Sequence, residues 1–177
     1  FLVVDNNIDN PPELIDAFYN QLKTRIIFTP QISRVTPWRA EKLTSVTDLP
    51  VPIAWPRAER GGWTTFTSPD IKSTFAAFNT SAAQPDQTAS GILEGLFGAL
   101  PQAEQTDRQS YSAQAHIWEA LTYTRSRGTI TGRLYTTITD NTAYIARFET
   151  LTSEAPALFA DVFENMMDAF TVRPRTV

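Results

Sequence analysis

Cysteine is absent from the sequence and histidine occurs once. No stretch approaches the roughly 18 consecutive apolar residues needed to cross a bilayer as a helix. Without cysteine there can be no disulfides, thiolate zinc sites or thiol nucleophiles. That absence does not choose a compartment, because a cysteine-free chain is equally safe in oxidising and reducing surroundings. A lone His116 leaves any metal site to carboxylates and carbonyls, and no D-x-D-x-D-G loop arranges them, so no metal is expected. Lysine is scarce and basic runs are missing. With 15 Lys and Arg against 19 Asp and Glu the formal net charge is −4, which gives no footprint for nucleic acid or an anionic membrane surface. The first residues, Phe1 to Asp5, do not form a signal-peptide pattern.

What the chain does have is apolar and aromatic content, 42% and 11% of 177 residues, enough for one good-sized core and too much for disorder. The abundance of Thr and Pro with little Lys matches exported bacterial domains in composition. Because the chain begins at Phe1 inside an apolar run, it is expected to be a piece of a longer protein.

Periodicity is clearest in the last third. Thr129 to Thr139 alternates Ile130, Leu134 and Ile138 with Thr131, Arg133, Tyr135 and Thr137, and Thr142 to Thr150 carries Tyr144, Ile145 and Phe148. Asp140-Asn141 between them tolerates the positive φ of a tight turn, which predicts a hairpin. Leu158, Phe159, Val162, Phe163, Met166, Met167 and Phe170 then recur at helical spacing behind Pro156, which predicts a helix lying on a sheet. Upstream, Ser110 to Thr124 reads as one more strand, giving a three-stranded meander. Pro85 to Leu100 reads as a helix ended by Pro101, and Gly62 to Ser68 and Ile71 to Asn79 as two strands about the turn Ser68-Pro69-Asp70. Within that helix Gly91, Gly95 and Gly98 line one face, and the expectation is that this bare face packs tightly on the sheet.

Asp48-Leu49-Pro50-Val51-Pro52 reads as an extended edge or linker and marks a domain boundary. Residues 1–46 before it are expected to be a strand-helix segment: Phe1 to Val4, then a helix capped by Asn10 with Pro11 and Glu13 behind it. Phe1 to Pro30 and Thr142 to Pro174 share an order of strand, polar loop, Pro-containing helix start and paired apolar stripe, both closing on Phe-Thr. This suggests an internal repeat in which 1–46 ends a preceding similar module, although any strand-helix pair would look alike.

Pro52-Ile53-Ala54-Trp55, the segment Trp63 to Phe66 leading to Ser68-Pro69-Asp70, the meander with Trp118, Tyr135 and Tyr144, and the closing Phe159, Phe163 and Phe170 together resemble the PsbP-like domain superfamily over roughly 47–174. The resemblance implies an α+β fold: an α/β/α sandwich with a central antiparallel sheet and a C-terminal amphipathic helix packed on it, occupying 47–177. It also implies a non-catalytic binding or assembly module. Such domains serve the lumenal face of photosystem II in photosynthetic organisms and occur in exported proteins elsewhere in bacteria, so an extracytoplasmic location, secreted or membrane-associated, is expected.

The residues themselves offer no enzyme. Strand alternation puts Glu119 on the face opposite His116, so a local His-Glu pair is excluded, leaving only a distant carboxylate such as Asp140 or Glu149. There is no G-x-S-x-G elbow, and Glu119 and Glu149 as an acid-base pair are equally well explained as ion-paired residues. No catalytic, cofactor or metal residue is expected. The four tryptophans are core residues first, with Trp55, flanked by Pro56 and Arg57, the candidate exception. Trp55, Trp63 and Arg57 are therefore the candidate partner-binding residues, for a protein partner or a small apolar ligand. Two alternatives stay open: an accessory domain of an enzyme whose active site lies outside these residues, and a carrier of a small apolar ligand.

Overall fold

The computed structural model of the chain describes residues 38–44, 47–69 and 75–172. The proposed repeat partner, Phe1 to Pro30, and the turn residue Asp70 fall outside them. All the described residues belong to one compact unit, Arg34–Val177.

The centre is a seven-stranded sheet, antiparallel throughout. Its members are β3 (Arg57–Arg60), β4 (Trp63–Thr67), β5 (Phe75–Ala82), β6 (Glu104–Ala113), β7 (His116–Arg125), β8 (Ile130–Thr139) and β9 (Thr142–Leu151), in spatial order β3-β4-β5-β9-β8-β7-β6. After β5 the chain crosses one face through α1 (Ala89–Gly98) to start β6 at the far edge, then returns as a meander to pair β9 with β5. The meander has four strands where sequence reading gave three. Its first hairpin turns at Gln114 and Ala115, both at positive φ (48° and 62°) although neither is a usual turn residue. Asp140 and Asn141 adopt the expected positive φ, 51° and 56°.

Helices cover the sheet on both faces. On one, α1 starts later than Pro85: Thr88 caps it by accepting from the Gly91 N–H at 3.0 Å. Its Leu93, with Leu96, Phe97 and Leu100, packs on Leu121, Tyr123 and Leu134. The glycine face points the other way. Gly91, Gly95 and Gly98 are exposed, and a Cβ at Gly95 or Gly98 would meet nothing within 4 Å. The expectation of a bare face against the sheet is thus corrected: burying the large apolar residues decides the helix's rotation, and the glycines sit opposite them.

On the other face lies a continuous C-terminal helix, α2 (Ala155–Leu158), a π-helical turn (Phe159–Phe163) and α3 (Glu164–Asp168). The stripe 158/159, 162/163, 166/167, 170 repeats every four residues, and on a 3.6-residue turn it would drift by about 40° per repeat. The π turn, closed by the Glu164 N–H on the Phe159 carbonyl, absorbs the surplus and keeps the stripe on the sheet. Leu158, Phe159, Val162, Phe163, Met166, Met167 and Phe170 are all buried. Phe163 stacks on Phe148 at 4.6 Å, and Phe170 meets Trp118 edge-on at 5.2 Å.

A second, three-stranded sheet joins β1 (Trp38–Thr44), β2 (Thr47–Pro52) and β10 (Thr171–Val172) in the order β1-β2-β10. β1 precedes residue 47 and pairs with β2 from Trp38↔Pro52 to Thr44↔Thr47. β10 pairs only with Asp48 and Thr47. Over Pro50 to Pro52 the strand therefore has one neighbour, which is how two prolines are accommodated, while Leu49 and Val51 are fully buried.

Candidate functional site

The three candidate partner-binding residues do not share a surface. Trp55 is 2% exposed and meets Phe163 edge-on at 6.1 Å. It is a core residue and shares no exposed surface with Trp63. Apolar area of that size is more stable against the C-terminal helix than in water. Arg57 and Trp63 both lie on the β3–β4 hairpin, but on opposite faces. The pairs Arg57↔Phe66 and Arg60↔Trp63 put Arg57 with Phe66 and Trp63 with Arg60.

Arg57 is the hub of a polar clamp between the two sheets. Its guanidinium donates to Glu59 at 2.6 Å, to Glu41 at 3.1 Å and to the Lys42 carbonyl at 3.2 Å. Arg39 donates to Glu41 at 2.5 Å, to the Trp55 carbonyl at 2.8 Å and to the Ile53 carbonyl. The hydrogen bond from Arg39 holds the Glu41 carboxyl below the usual range, and the one that Arg57 donates to Glu59 holds the Arg57 guanidinium above its own. Planar guanidiniums that satisfy several acceptors at once orient the 53–57 turn against β1.

Trp63, half-buried, belongs to a different arrangement. Arg147, on β9, lies over the small Ala77 between two rings, its Cζ 5.4 Å from the Trp63 centroid and 4.9 Å from that of Phe75. Its Nε is buried without a hydrogen-bond acceptor. Sequence reading missed Arg147 because the two aromatics that hold it come from strands far away in the chain.

The remaining ionisable groups are tied into structure. Glu149, 1% exposed, accepts from the Tyr123 hydroxyl at 2.6 Å and from Arg125 Nε and Nη2 at 2.8 and 2.6 Å. Burial, then the Glu149 charge, pushes the Tyr123 hydroxyl well above its usual range. Tyr123 reaches Glu149 by lying across Gly132, where a Cβ would come within 2.2 Å of its ring. His116 Nδ1 sits 3.2 Å from Thr139 Oγ1. Glu119 faces the other way beside Ser110. Tyr111 donates to the Asp168 carboxylate and Gln114 to the Asp168 carbonyl, fastening the first hairpin of the meander to the helix end.

Two concavities lie beside the C-terminal helix. One of about 90 Å³ is lined by Leu43, Thr64, Phe78, Asn79, Thr80 and Phe170 among others. An open groove of about 310 Å³ runs between Thr122, Thr131 and Arg133 and the helix residues Pro156, Phe159 and Glu164. Arg133 lines that groove, 4.6 Å from the Phe159 ring centroid and bonded to Thr122 at 3.0 Å, the Tyr135 hydroxyl at 3.1 Å and Glu164 at 3.3 Å. Among the described residues no group of three or more His, Asp or Glu is placed to hold a metal, and no helix is long and apolar enough to cross a membrane.

No protein-family model and no curated protein matches the chain. Among solved structures, cyanobacterial PsbP (CyanoP) from Synechocystis sp. PCC 6803 superposes with a TM-score of 0.65 at 12% identity, over 78% of this chain and 94% of that one. The fold is PsbP-like. A protein of unknown function from Pseudomonas aeruginosa, PA94, has a TM-score of 0.53 at 19% identity over 78% of this chain and 99% of its own. A Bacteroides thetaiotaomicron protein has 0.52 at 16%, covering 73% of this chain and 46% of that one. With identities this low the PsbP-like sandwich is what is shared, an antiparallel sheet with a helix on each face, and function has to be argued from the residues.

Proposed function

We propose that this chain is a non-catalytic binding or assembly module that docks a protein partner through the β3–β4 hairpin. The observation that carries the reading is how its ionisable groups are used. Glu149 with Arg125 and Tyr123, Glu41 with Arg39 and Arg57, and Asp168 with Tyr111 each tie one structural element to another. The hairpin presents β3 exposed along its whole length as an outer strand among the described residues, with Trp63 half-buried on one face and, on the other, Arg57, whose side chain stays 34% exposed within its clamp. A strand edge without a neighbouring strand among the described residues, flanked by an aromatic and an arginine, suits protein recognition. Trp55 supports the hairpin from within by packing on Phe163.

The apolar-carrier alternative draws less support. Of the two concavities described among these residues, one is smaller than the roughly 300 Å³ usual for ligand pockets, and the other is an open groove with Thr, Arg and Glu in its lining. An accessory role beside an enzyme active site outside these residues is compatible with the same docking surface. For organisation, 47–177 is proposed as the sandwich, extended ahead of residue 47 by β1 (Trp38–Thr44), as the β1–β2 pairing supports. Composition supports an extracytoplasmic setting.

Affinity capture from the native source with cross-linking tests the docking surface. The wild-type chain should retain a partner cross-linked at the hairpin, and Trp63→Ala and Arg57→Glu should each reduce its yield. Retention unchanged in both variants would remove the hairpin from the proposal.

A further inference from the structure

Arg147 is a cation that the fold holds in place and that forms no ion pair among the described residues. Its Cζ lies 5.4 Å from the Trp63 ring centroid and 4.9 Å from that of Phe75. Its Nε is buried without an acceptor, and Arg147 takes part in none of the salt bridges among the described residues. Glu149, the next residue on the same face of β9, is already taken by Arg125 and Tyr123. Burying a guanidinium edge without an acceptor is costly, so the arrangement is incomplete as it stands. The two rings beside its Cζ restrict the guanidinium, and its fork suits a carboxylate taken in bidentate fashion.

A second arginine shares this face. Arg60 pairs directly with Trp63 across the hairpin and is exposed, with no ion pair among the described residues. The chain as a whole carries a net charge of −4, yet this corner presents two unneutralised cations on either side of one tryptophan. The excess is local and its sign selects an anionic occupant. Arg60 belongs to the outer strand β3, whose free edge can accept an extended backbone, and in such a strand alternate side chains fall on the Trp63 face.

We propose that β3, Trp63, Phe75, Arg60 and Arg147 form a docking site for an extended acidic protein segment, added along the β3 edge, with a carboxylate seated on Arg147 beside the Trp63 ring. This deepens the partner-docking reading, on which it rests, by naming the chemistry of the partner.

The probe is a blocked hexapeptide of alternating Glu and Val, with its Gln-Val counterpart as the uncharged control, titrated at low ionic strength into the full chain. Binding is read from the Arg147 Nε–H and Trp63 indole N–H resonances. The Glu-Val peptide should shift both saturably and the Gln-Val peptide should not. Arg147→Gln should weaken binding about tenfold, the loss of one charge-assisted contact. Arg60→Gln should weaken it less. Arg108→Gln should leave it unchanged, since Arg108 is already paired with Glu94 at 3.0 Å. If Arg147→Gln fails to fold, Arg147→Lys, which keeps the charge and loses the fork, should still bind several-fold more weakly than wild type. A flat titration, equal affinity in the folded Arg147 variant, or an equal loss in Arg108→Gln would each overturn the site. Those outcomes leave the capture experiment unaffected, so a failure here is distinguishable from failure of the docking reading.

Discussion

Replacing Gly132 with alanine should be among the most damaging single-methyl additions in the protein. Gly132 is paired with Tyr123 on one side and Glu149 on the other. The Tyr123 ring lies across it to deliver its hydroxyl to the buried Glu149 carboxylate at 2.6 Å. An alanine Cβ would come 2.2 Å from the Tyr123 Cζ and 2.4 Å from its hydroxyl oxygen, well inside van der Waals contact. The ring cannot yield by a small adjustment, because it is fully buried and packed against Phe97. It must swing away and abandon Glu149. Overpacking of this kind costs roughly 1–3 kcal/mol, and losing a hydrogen bond to a charged group about 1.5–3 kcal/mol. The expected destabilisation of Gly132→Ala is therefore about 3–5 kcal/mol, measured by urea unfolding with linear extrapolation. The mechanism is tested by a cycle with Tyr123→Ala. In that background the clash has no partner, and Gly132→Ala should change stability by no more than about 0.5 kcal/mol in either direction, leaving a coupling of about 3–5 kcal/mol. A cost below about 1 kcal/mol for the single variant, or an undiminished cost in the Tyr123→Ala background, would refute the reasoning.

Gly95→Ala in α1 should act in the opposite direction and stabilise the chain by about 0.5–1 kcal/mol, because the glycine is helical and exposed and the added methyl meets nothing within 4 Å. A rise in urea midpoint at unchanged slope is the expected reading, and a fall would mean that this face is covered. Alkaline pH should destabilise the fold through Tyr123, whose folded-state pKa lies above its unfolded value. The unfolded chain then binds fewer protons from about pH 10 upward, so the stability contributed by the neutral hydroxyl is fully present below that pH and is lost as pH rises. Each pH unit removes at most about 1.4 kcal/mol for one group, and Tyr123→Phe should flatten the slope of the urea midpoint between pH 10 and 11.

Patterns that one face of one element carries were legible beforehand. The alternation in β8 and β9, the Asp140-Asn141 turn and the apolar stripe behind Pro156 each became the structure expected of them, since a half-buried strand or helix writes its burial into adjacent residues. β6 left no such record. Glu104 to Ser110 is exposed throughout, as suits a polar outer strand, so no alternation announces it. Its turn at Gln114-Ala115 uses residues with no turn preference, and the two strands were read as one. The rotation of α1 was misjudged for a related reason: three glycines suggested close packing, while Leu93, Leu96 and Phe97 on the other side carry the apolar area that burial rewards.

The site depended on register more than on pattern. Trp55 looked exposed beside Pro56 and Arg57, but its partner Phe163 comes from the last helix, and nothing local to Trp55 records that contact. Arg57 and Trp63 are close in sequence, and the hairpin pairing separates them onto opposite faces. Arg147 came together with Trp63 and Phe75 only once β9 had paired with β5.

The central claim, that the β3–β4 hairpin docks a protein partner, is tested most directly by amide hydrogen exchange of the chain alone and in complex with the captured partner. The account predicts new protection concentrated in residues 57–67, and lost when Trp63 is replaced by alanine. Protection confined to α1 or to the groove beside Arg133, with exchange at 57–67 unchanged, would contradict it.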